Sequence, residues 1–77
     1  MDDRKEAEAI AELTRALRFK PDVQLLHLRA TFYESMNDLL STIRDCEAGL
    51  CLDPTNDELI EFRYRAKEQI NDKRLSD

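Results

Sequence analysis

A segment of thirteen residues near the start of the chain recurs in the same pattern 33 residues later. The first copy, Ala9 to Pro21, reads AIAELTRALRFKP, and the second, Thr42 to Pro54, reads TIRDCEAGLCLDP. Both have the form small–Ile–x–x–apolar–x–x–small–Leu–x–apolar–x–Pro. A period in the low thirties is typical of helix pairs that stack as a solenoid. In such a repeat, small side chains let a neighbouring helix approach closely, and the proline ends the helix.

Two prolines and one Asn-Asp pair divide the chain into four helical segments. Proline disfavours helix at the residue before it, so Pro21 and Pro54 end the first and third segments. Asn37 tolerates the left-handed conformation, and Asp38 is suited to cap the next helix. The predicted helices span about residues 3–19, 23–36, 38–52 and 57–71, and the polar tail at 72–77 is expected to fray.

Helix caps and apolar stripes support this division. Asp3 with Glu6 resembles a capping box, and Thr55 or Asn56 is expected to cap the fourth helix. The second helix is apolar on two flanks, so it should pack on more than one side. The predicted stripes are Ile10, Leu13 and Leu17 beside Ala9 and Ala16; Leu25, Leu28 and Phe32, then Leu26, Ala30 and Tyr33; Leu39, Ile43, Cys46 and Leu50; and Leu59, Phe62, Ala66 and Ile70 beside Ile60 and Tyr64.

No segment alternates with a period of two, so the predicted fold class is all-α, with antiparallel helical hairpins in a single domain over residues 1–77. The chain carries a net charge of −5, and an acidic chain repels phosphate backbones, which excludes nucleic acid as a partner. No run of 18 apolar residues is present, which excludes a membrane partner. Cys46 and Cys51 point to different sides of one helix, so we expect two unpaired thiols, buried or half-buried, in a reducing compartment: the cytoplasm, or alternatively the nucleus.

The second and third helices resemble the tetratricopeptide repeat (TPR). Leu28-Arg29-Ala30-Thr31-Phe32-Tyr33 looks like the Arg-Ala-x-x-Tyr version of that repeat's first helix, and residues 45–54 look like its second helix. By this resemblance residues 23–54 form one complete repeat. The first helix resembles the end of a preceding repeat, and the fourth helix stands where a following repeat would start. The implied fold is a short solenoid of about one and a half repeats plus a capping helix.

Several positions depart from the repeat. Thr42 and Gly49 replace the usual alanine at the small positions of the third helix, and Gly49 lowers helix stability by about 1 kcal/mol relative to alanine. The linker after Pro21 is one residue shorter than usual. Tyr64 occupies the small position of the fourth helix, where its ring would block a following helix. We therefore interpret the fourth helix as a cap that closes the stack.

In this family the first helices of successive repeats line a concave groove that holds a peptide or helix of another protein. The groove positions implied here are Gln24, His27, Thr31, Glu34, Glu58, Glu61, Arg65 and Glu68. They are mostly acidic, so the expected ligand is a basic or amphipathic segment; the alternative is a solvated surface without a ligand. The predicted function is a protein–protein interaction scaffold, as in a co-chaperone or adaptor. A carboxylate clamp for chaperone C-termini is not expected, because Leu28 stands where such repeats carry asparagine.

No catalytic, metal or cofactor site is predicted, so the chain is not expected to be an enzyme. His27 is the single histidine, whereas metal and catalytic sites need several convergent groups. Gly49 is the single glycine, so no phosphate-binding loop is present.

A second function is structural: a capping or oligomerisation element of a longer array, with no ligand of its own. The first helix lacks the partner that would precede it in the repeat. Its outer side, including Ala7, Ala11 and Leu17, is therefore expected to be partly bare. A homo-oligomer is the consequence that this alternative predicts.

Overall fold

The computed structural model describes residues 4–75, with side chains described through Asn71. Four helices follow one another: α1 Arg4–Phe19, α2 Val23–Ser35, α3 Leu39–Leu52 and α4 Asp57–Leu75. The four predicted segments are confirmed to within one residue, except at the last end. The predicted end of the fourth helix at residue 71 was wrong, since α4 continues to Leu75, and no proline or glycine follows Pro54 to end it. Asp3 of the expected capping box and residues 76–77 lie outside the described part.

The turn between α2 and α3 has the chemistry that the Asn-Asp pair predicts. Asn37 adopts a φ of 63°, in the left-handed region that asparagine tolerates. The Asp38 carboxylate then caps α3 by accepting hydrogen bonds from the backbone N–H of Ser41 at 3.3 Å and from its hydroxyl at 2.9 Å. The turn therefore fixes the point at which α3 begins and folds it back along α2.

The starts of α2 and α4 are capped by side chains that follow the two prolines. An Asp22 carboxylate oxygen accepts from the backbone N–H of Gln24 at 2.8 Å. Of the two candidates for α4, Asn56 is the cap, since its side-chain oxygen accepts from the N–H of Leu59 at 3.1 Å. The Thr55 hydroxyl donates to a neighbouring carboxylate instead. Each cap satisfies a backbone donor that the helix itself leaves unpaired.

Consecutive helices pack on one another in chain order: α1 on α2, α2 on α3, and α3 on α4. Short connections make each pair an antiparallel hairpin. The helices form a layer measuring 41 × 35 × 14 Å, little thicker than one helix with its side chains. The predicted class of stacked helical hairpins is thus confirmed. A layer this thin leaves two broad faces and both ends open to solvent.

The core lies among α2, α3 and α4. Its buried apolar residues are Leu26, Ala30, Leu39, Cys46, Leu59, Phe62 and Ala66. No residue of α1 is buried, and Ile10, Leu13 and Leu17 of its stripe are half-buried.

Two expected core residues are exposed. Leu28 is 45% exposed, so the second flank of α2 is only partly covered. Cys51 is exposed, which makes the expectation of a buried or half-buried thiol wrong. Five positions of helix turn Cys51 by about 140° from the buried Cys46, onto the outer side of α3. Both thiols are free, as the sequence predicts.

Arg29 of α2 ties three helices together. Its Nε donates to Asp45 Oδ2 at 2.8 Å and its Nη2 to Asp45 Oδ1 at 2.6 Å, a bidentate pair with α3. Its Nη1 donates to the Thr14 hydroxyl of α1 at 3.0 Å. The pair is nearly enclosed, with side-chain exposures of 18% for Arg29 and 7% for Asp45. The hydrogen bonds to Asp45 raise the pKa of Arg29, so the guanidinium stays charged.

The two small residues at matched positions of the repeat have opposite environments. Gly49 of α3 is buried, and a Cβ built there would lie 2.6 Å from Leu59 Cδ1 of α4. The glycine therefore permits the close contact between α3 and α4. Ala16 of α1 is exposed, so the expectation that it receives a neighbouring helix was wrong for this chain. The described part contains no helix that covers this side of α1.

Tyr64 is 65% exposed and Ile60 is 45% exposed on the same side of α4. A capping helix normally turns a polar side to solvent. These two exposed side chains weigh against the interpretation of α4 as a cap, which stays a prediction.

Breaking the Arg29 pair should destabilise the fold far more than breaking a surface pair. We expect Arg29→Ala to lower the free energy of unfolding by about 3 kcal/mol, because it leaves the Asp45 carboxylate buried and uncompensated. Arg63→Ala is a matched control, since the Arg63–Glu47 pair is exposed and should contribute less than about 1 kcal/mol. Urea titration followed by circular dichroism measures both. Equal losses would contradict the role of Arg29.

Adding one methyl group at Gly49 should also destabilise the protein. Gly49→Ala gains about 1 kcal/mol of helix propensity but forces an overlap with the fully buried Leu59, at a cost of about 2 kcal/mol, so we expect a net loss near 1 kcal/mol. Ala48→Gly, at the exposed neighbouring position, should lose about 1 kcal/mol through propensity alone. Thermal unfolding of both variants provides the comparison, and a stabilised Gly49→Ala protein would show that Leu59 moves away freely.

Candidate functional site

The candidate site lies where the first turns of α2 and α4 approach each other. Both helices pack against α3, and a contact between the rings of His27 and Phe62 joins them there. A surface hollow there is lined by Val23, Gln24, His27, Asn56 and Glu58. Three of these, Gln24, His27 and Glu58, are residues that the sequence predicts for the groove. The structure therefore brings part of the predicted stripe on α2 beside part of the stripe on α4.

Phe62 connects the two stripes beneath this surface. Its ring centroid lies 5.5 Å from that of His27, with the rings inclined at 65° in an edge-to-face arrangement. The Arg65 guanidinium carbon lies 5.3 Å from the same centroid. Phe62 is only 3% exposed, so its ring belongs to the core and holds one residue from each helix in place. Such ring contacts contribute about 0.5–1.5 kcal/mol each and restrict both side chains.

Sequence reasoning placed Phe62 in the core and missed its contact with the groove. The available signal was its spacing from Arg65, because residues three positions apart on a helix are neighbours. Asn56 and Val23 were missed as lining residues as well, since the sequence marked one as a cap and the other as a helix start.

The other predicted residues lie farther along the two helices. Thr31 is exposed, and its hydroxyl donates to the His27 backbone carbonyl at 3.0 Å. Glu34 is half-buried, while Glu61 and Glu68 are exposed. The structure thus groups Gln24, His27, Glu58 and Arg65 around Phe62 and leaves the remaining four as separate polar side chains.

The charge of this surface is acidic. The predicted stripe contains four carboxylates, on Glu34, Glu58, Glu61 and Glu68, against the single guanidinium of Arg65. Within the described residues Arg65 contacts the Phe62 ring and forms no ion pair. The surface can therefore attract a cationic segment electrostatically, while the half-buried His27 ring offers it an aromatic contact.

Cys46 is enclosed, and burial together with the nearby charges of Asp45, Glu34 and Glu47 raises the pKa of its thiol to about 11. Residues 4–75 contain no group of three His, Cys, Asp or Glu side chains placed to hold a metal ion. None of their helices is long and apolar enough to cross a membrane.

These features define a class of protein: an all-helical domain of stacked hairpins, three of whose helices are joined by a nearly enclosed arginine–aspartate pair. The chain belongs to the ETO1 C-terminal domain family, whose sequence profile matches residues 1–71. A likeness to the tetratricopeptide repeat is compatible with this family at the level of paired helices.

Three proteins of Arabidopsis thaliana are similar to this chain. Ethylene-overproduction protein 1 is 57% identical over 73 residues, which cover 95% of this chain and 8% of that protein. ETO1-like protein 2 is 48% identical over 71 residues, covering 92% and 8%. ETO1-like protein 1 is 54% identical over 65 residues, covering 84% and 7%. The chain therefore spans less than a tenth of the length of these relatives. No solved structure matches it.

The two cysteines should differ sharply in reactivity. In the folded protein at neutral pH, a thiol reagent should label the exposed Cys51 rapidly and leave Cys46 unmodified, because Cys46 is enclosed and its raised pKa keeps it protonated. Above pH 9 the free energy of unfolding should fall, since the unfolded state then loses the Cys46 proton before the folded state does. Labelling with and without denaturant, with Cys51→Ser as the control, measures the difference in reactivity between the two thiols. Equal labelling rates in the native protein would contradict it.

Proposed function

We propose that this domain is a protein–protein interaction module that binds a peptide or helix of another protein between α2 and α4. The observation that carries the proposal is the surface hollow between α2 and α4 that is lined by Gln24, His27 and Glu58. A groove between neighbouring helices, with an apolar floor and a few polar side chains, is the geometry in which helical scaffolds receive an amphipathic segment. Membership in the ETO1 C-terminal domain family agrees with a role in an adaptor.

The proposed ligand is basic and amphipathic. Glu58 lines the hollow, Glu61 and Glu68 are exposed farther along α4, and exposed carboxylates of one sign steer a cationic partner. An apolar residue of the ligand would lie over the half-buried His27 ring. The two free cysteines suit a reducing compartment, so we place this interaction in the cytoplasm or nucleus. One relative is named for the overproduction of ethylene. The proposal therefore includes a protein partner that takes part in ethylene production.

A peptide titration tests the groove directly. A basic amphipathic peptide labelled with a fluorophore should bind the chain, and its affinity should fall as salt is added. The triple variant Glu58→Lys, Glu61→Lys and Glu68→Lys should bind at least about tenfold more weakly, because the groove then repels the ligand.

A matched control separates the groove from the overall charge of the chain. The control reverses three exposed acids outside the groove: Glu8, Glu12 and Glu47. It should lose much less affinity than the groove variant, while His27→Ala should weaken binding at every salt concentration by removing the ring contact. Equal losses in the two triple variants would reduce the interaction to non-specific charge and contradict the site.

A second candidate function is a structural element of a longer repeat array with no ligand of its own. The specific observation in its favour is the exposed side of α1, where Ala16 is uncovered and Phe19 is 88% exposed. The relatives, of which this chain matches less than a tenth, are long enough to supply a covering helix. If apolar substitutions on α1 change the mass of the particle while groove variants change nothing, this second function holds.

A further inference from the structure

The internal repeat extends from the sequence to the contacts between helices. A shift of 33 residues places Thr14 of α1 at the position of Glu47 of α3, and a shift of 34 places Arg29 of α2 at that of Arg63 of α4. Arg29 donates to Thr14 at 3.0 Å, and Arg63 donates to Glu47 at 3.1 Å. In both cases an arginine bonds to the matching residue of the helix before it. The α1–α2 and α3–α4 pairs are therefore built on the same plan.

The set of arginine contacts is complete at α2 but only partly present at α4. Arg29 also bonds forward, to Asp45 of the next helix. Within the described residues Arg63 has no forward partner, and it is accompanied by the exposed side chains of Ile60 and Tyr64. These two occupy the positions that Leu26 and Ala30 hold on the covered flank of α2. We call Ile60, Arg63, Tyr64 and Lys67 the open flank of α4.

A surface that matches the missing forward partner of Arg63 is present on α1, at the opposite end of the molecule. On α3, Thr42 and Asp45 bond to α2, and Ser41 shares a surface hollow with Tyr33 of α2. Shifting these three residues back by 33 gives Ala9, Glu12 and Glu8 of α1. Glu8 and Glu12 are exposed, and Ala9 is half-buried. We call Glu8, Ala9 and Glu12 the open flank of α1, because it corresponds to the side of α3 that α2 covers.

We propose that a second copy of this chain stacks the open flank of its α1 onto the open flank of α4, which repeats the α2–α3 contact between molecules. Charge complementarity supports this occupant. Arg63 corresponds to Arg29 and would face Glu12, which corresponds to Asp45. Lys67 corresponds to Tyr33, and Glu8 corresponds to Ser41. Because Tyr33 and Ser41 border the same surface hollow, Lys67 would lie near Glu8. Two cations thus meet two carboxylates.

The two open flanks are different surfaces, so the contact is heterologous. A heterologous contact does not close into a twofold dimer; it extends into rows or rings, and particle mass should rise continuously with concentration. The contact involves none of the groove residues, so it is independent of the proposed peptide binding.

Charge reversal tests the contact through particle mass. Sedimentation of the full chain across a dilution series should show association beyond the dimer. Glu12→Arg and Arg63→Glu should each weaken association by about tenfold, because each places like charges across the contact. Mixing these two variants should restore association, since each supplies the charge that the other lacks. Arg18→Glu, an equal charge change at an exposed position of α1 outside the flank, should leave the mass unchanged.

Each possible result either supports or overturns the proposed contact. A wild-type chain that is monomeric at every concentration overturns the proposal, and so does a closed dimer that grows no further. Single variants that dissociate without recovery on mixing show that Glu12 and Arg63 do not face each other. Circular dichroism will show whether Arg63→Glu is unfolded. If it is, the comparison of Glu12→Arg with Arg18→Glu still tests the proposal, because Glu12 forms no ion pair within the described part of the chain.

Discussion

The bidentate pair between Arg29 and Asp45, extended by the hydrogen bond from Arg29 to Thr14, fixes how the first three helices pack on one another. A layer 14 Å thick has little apolar surface to bury, so the hydrophobic effect alone positions its helices weakly. A nearly enclosed charge pair adds a strong constraint on rotation and register, because any displacement leaves a buried charge without its partner. The guanidinium is suited to this place because its planar donors serve Asp45 and Thr14 together.

The groove is a consequence of this register. Once α2 is fixed on α3 by Arg29 and α4 is fixed by the contact of Leu59 with Gly49, the first turns of α2 and α4 lie side by side. His27 then lies against the ring of Phe62, and the acidic residues of α4 line the opposite side. The surface that we propose for ligand binding is therefore positioned by residues that do not belong to it, and it should be sensitive to mutations in the core.

Exposed apolar residues at both ends of the layer follow from the same architecture. A stacked hairpin buries its sides against its neighbours, so the terminal helices of a short stack keep one side uncovered. Among the described residues those sides carry Phe19 and Ala16 on α1 and Ile60 and Tyr64 on α4. The self-association that we propose uses the open flanks of α1 and α4, whereas the proposed peptide binding uses the surface between α2 and α4.

The sequence by itself determined the helices and their order, because prolines, the left-handed Asn37 and the capping aspartates act locally and need no tertiary partner. It also determined the predicted groove residues as a stripe, since helical periodicity places them on one side. Only the tertiary structure decided which matched positions are buried: Gly49 is covered while its counterpart Ala16 is exposed, because a neighbouring helix covers one and none of those described covers the other. The contacts of Arg29 with Asp45 and of Phe62 with His27 depended on the structure for the same reason. Both join residues that lie far apart in the chain, and their pairing follows from helix packing rather than from local pattern.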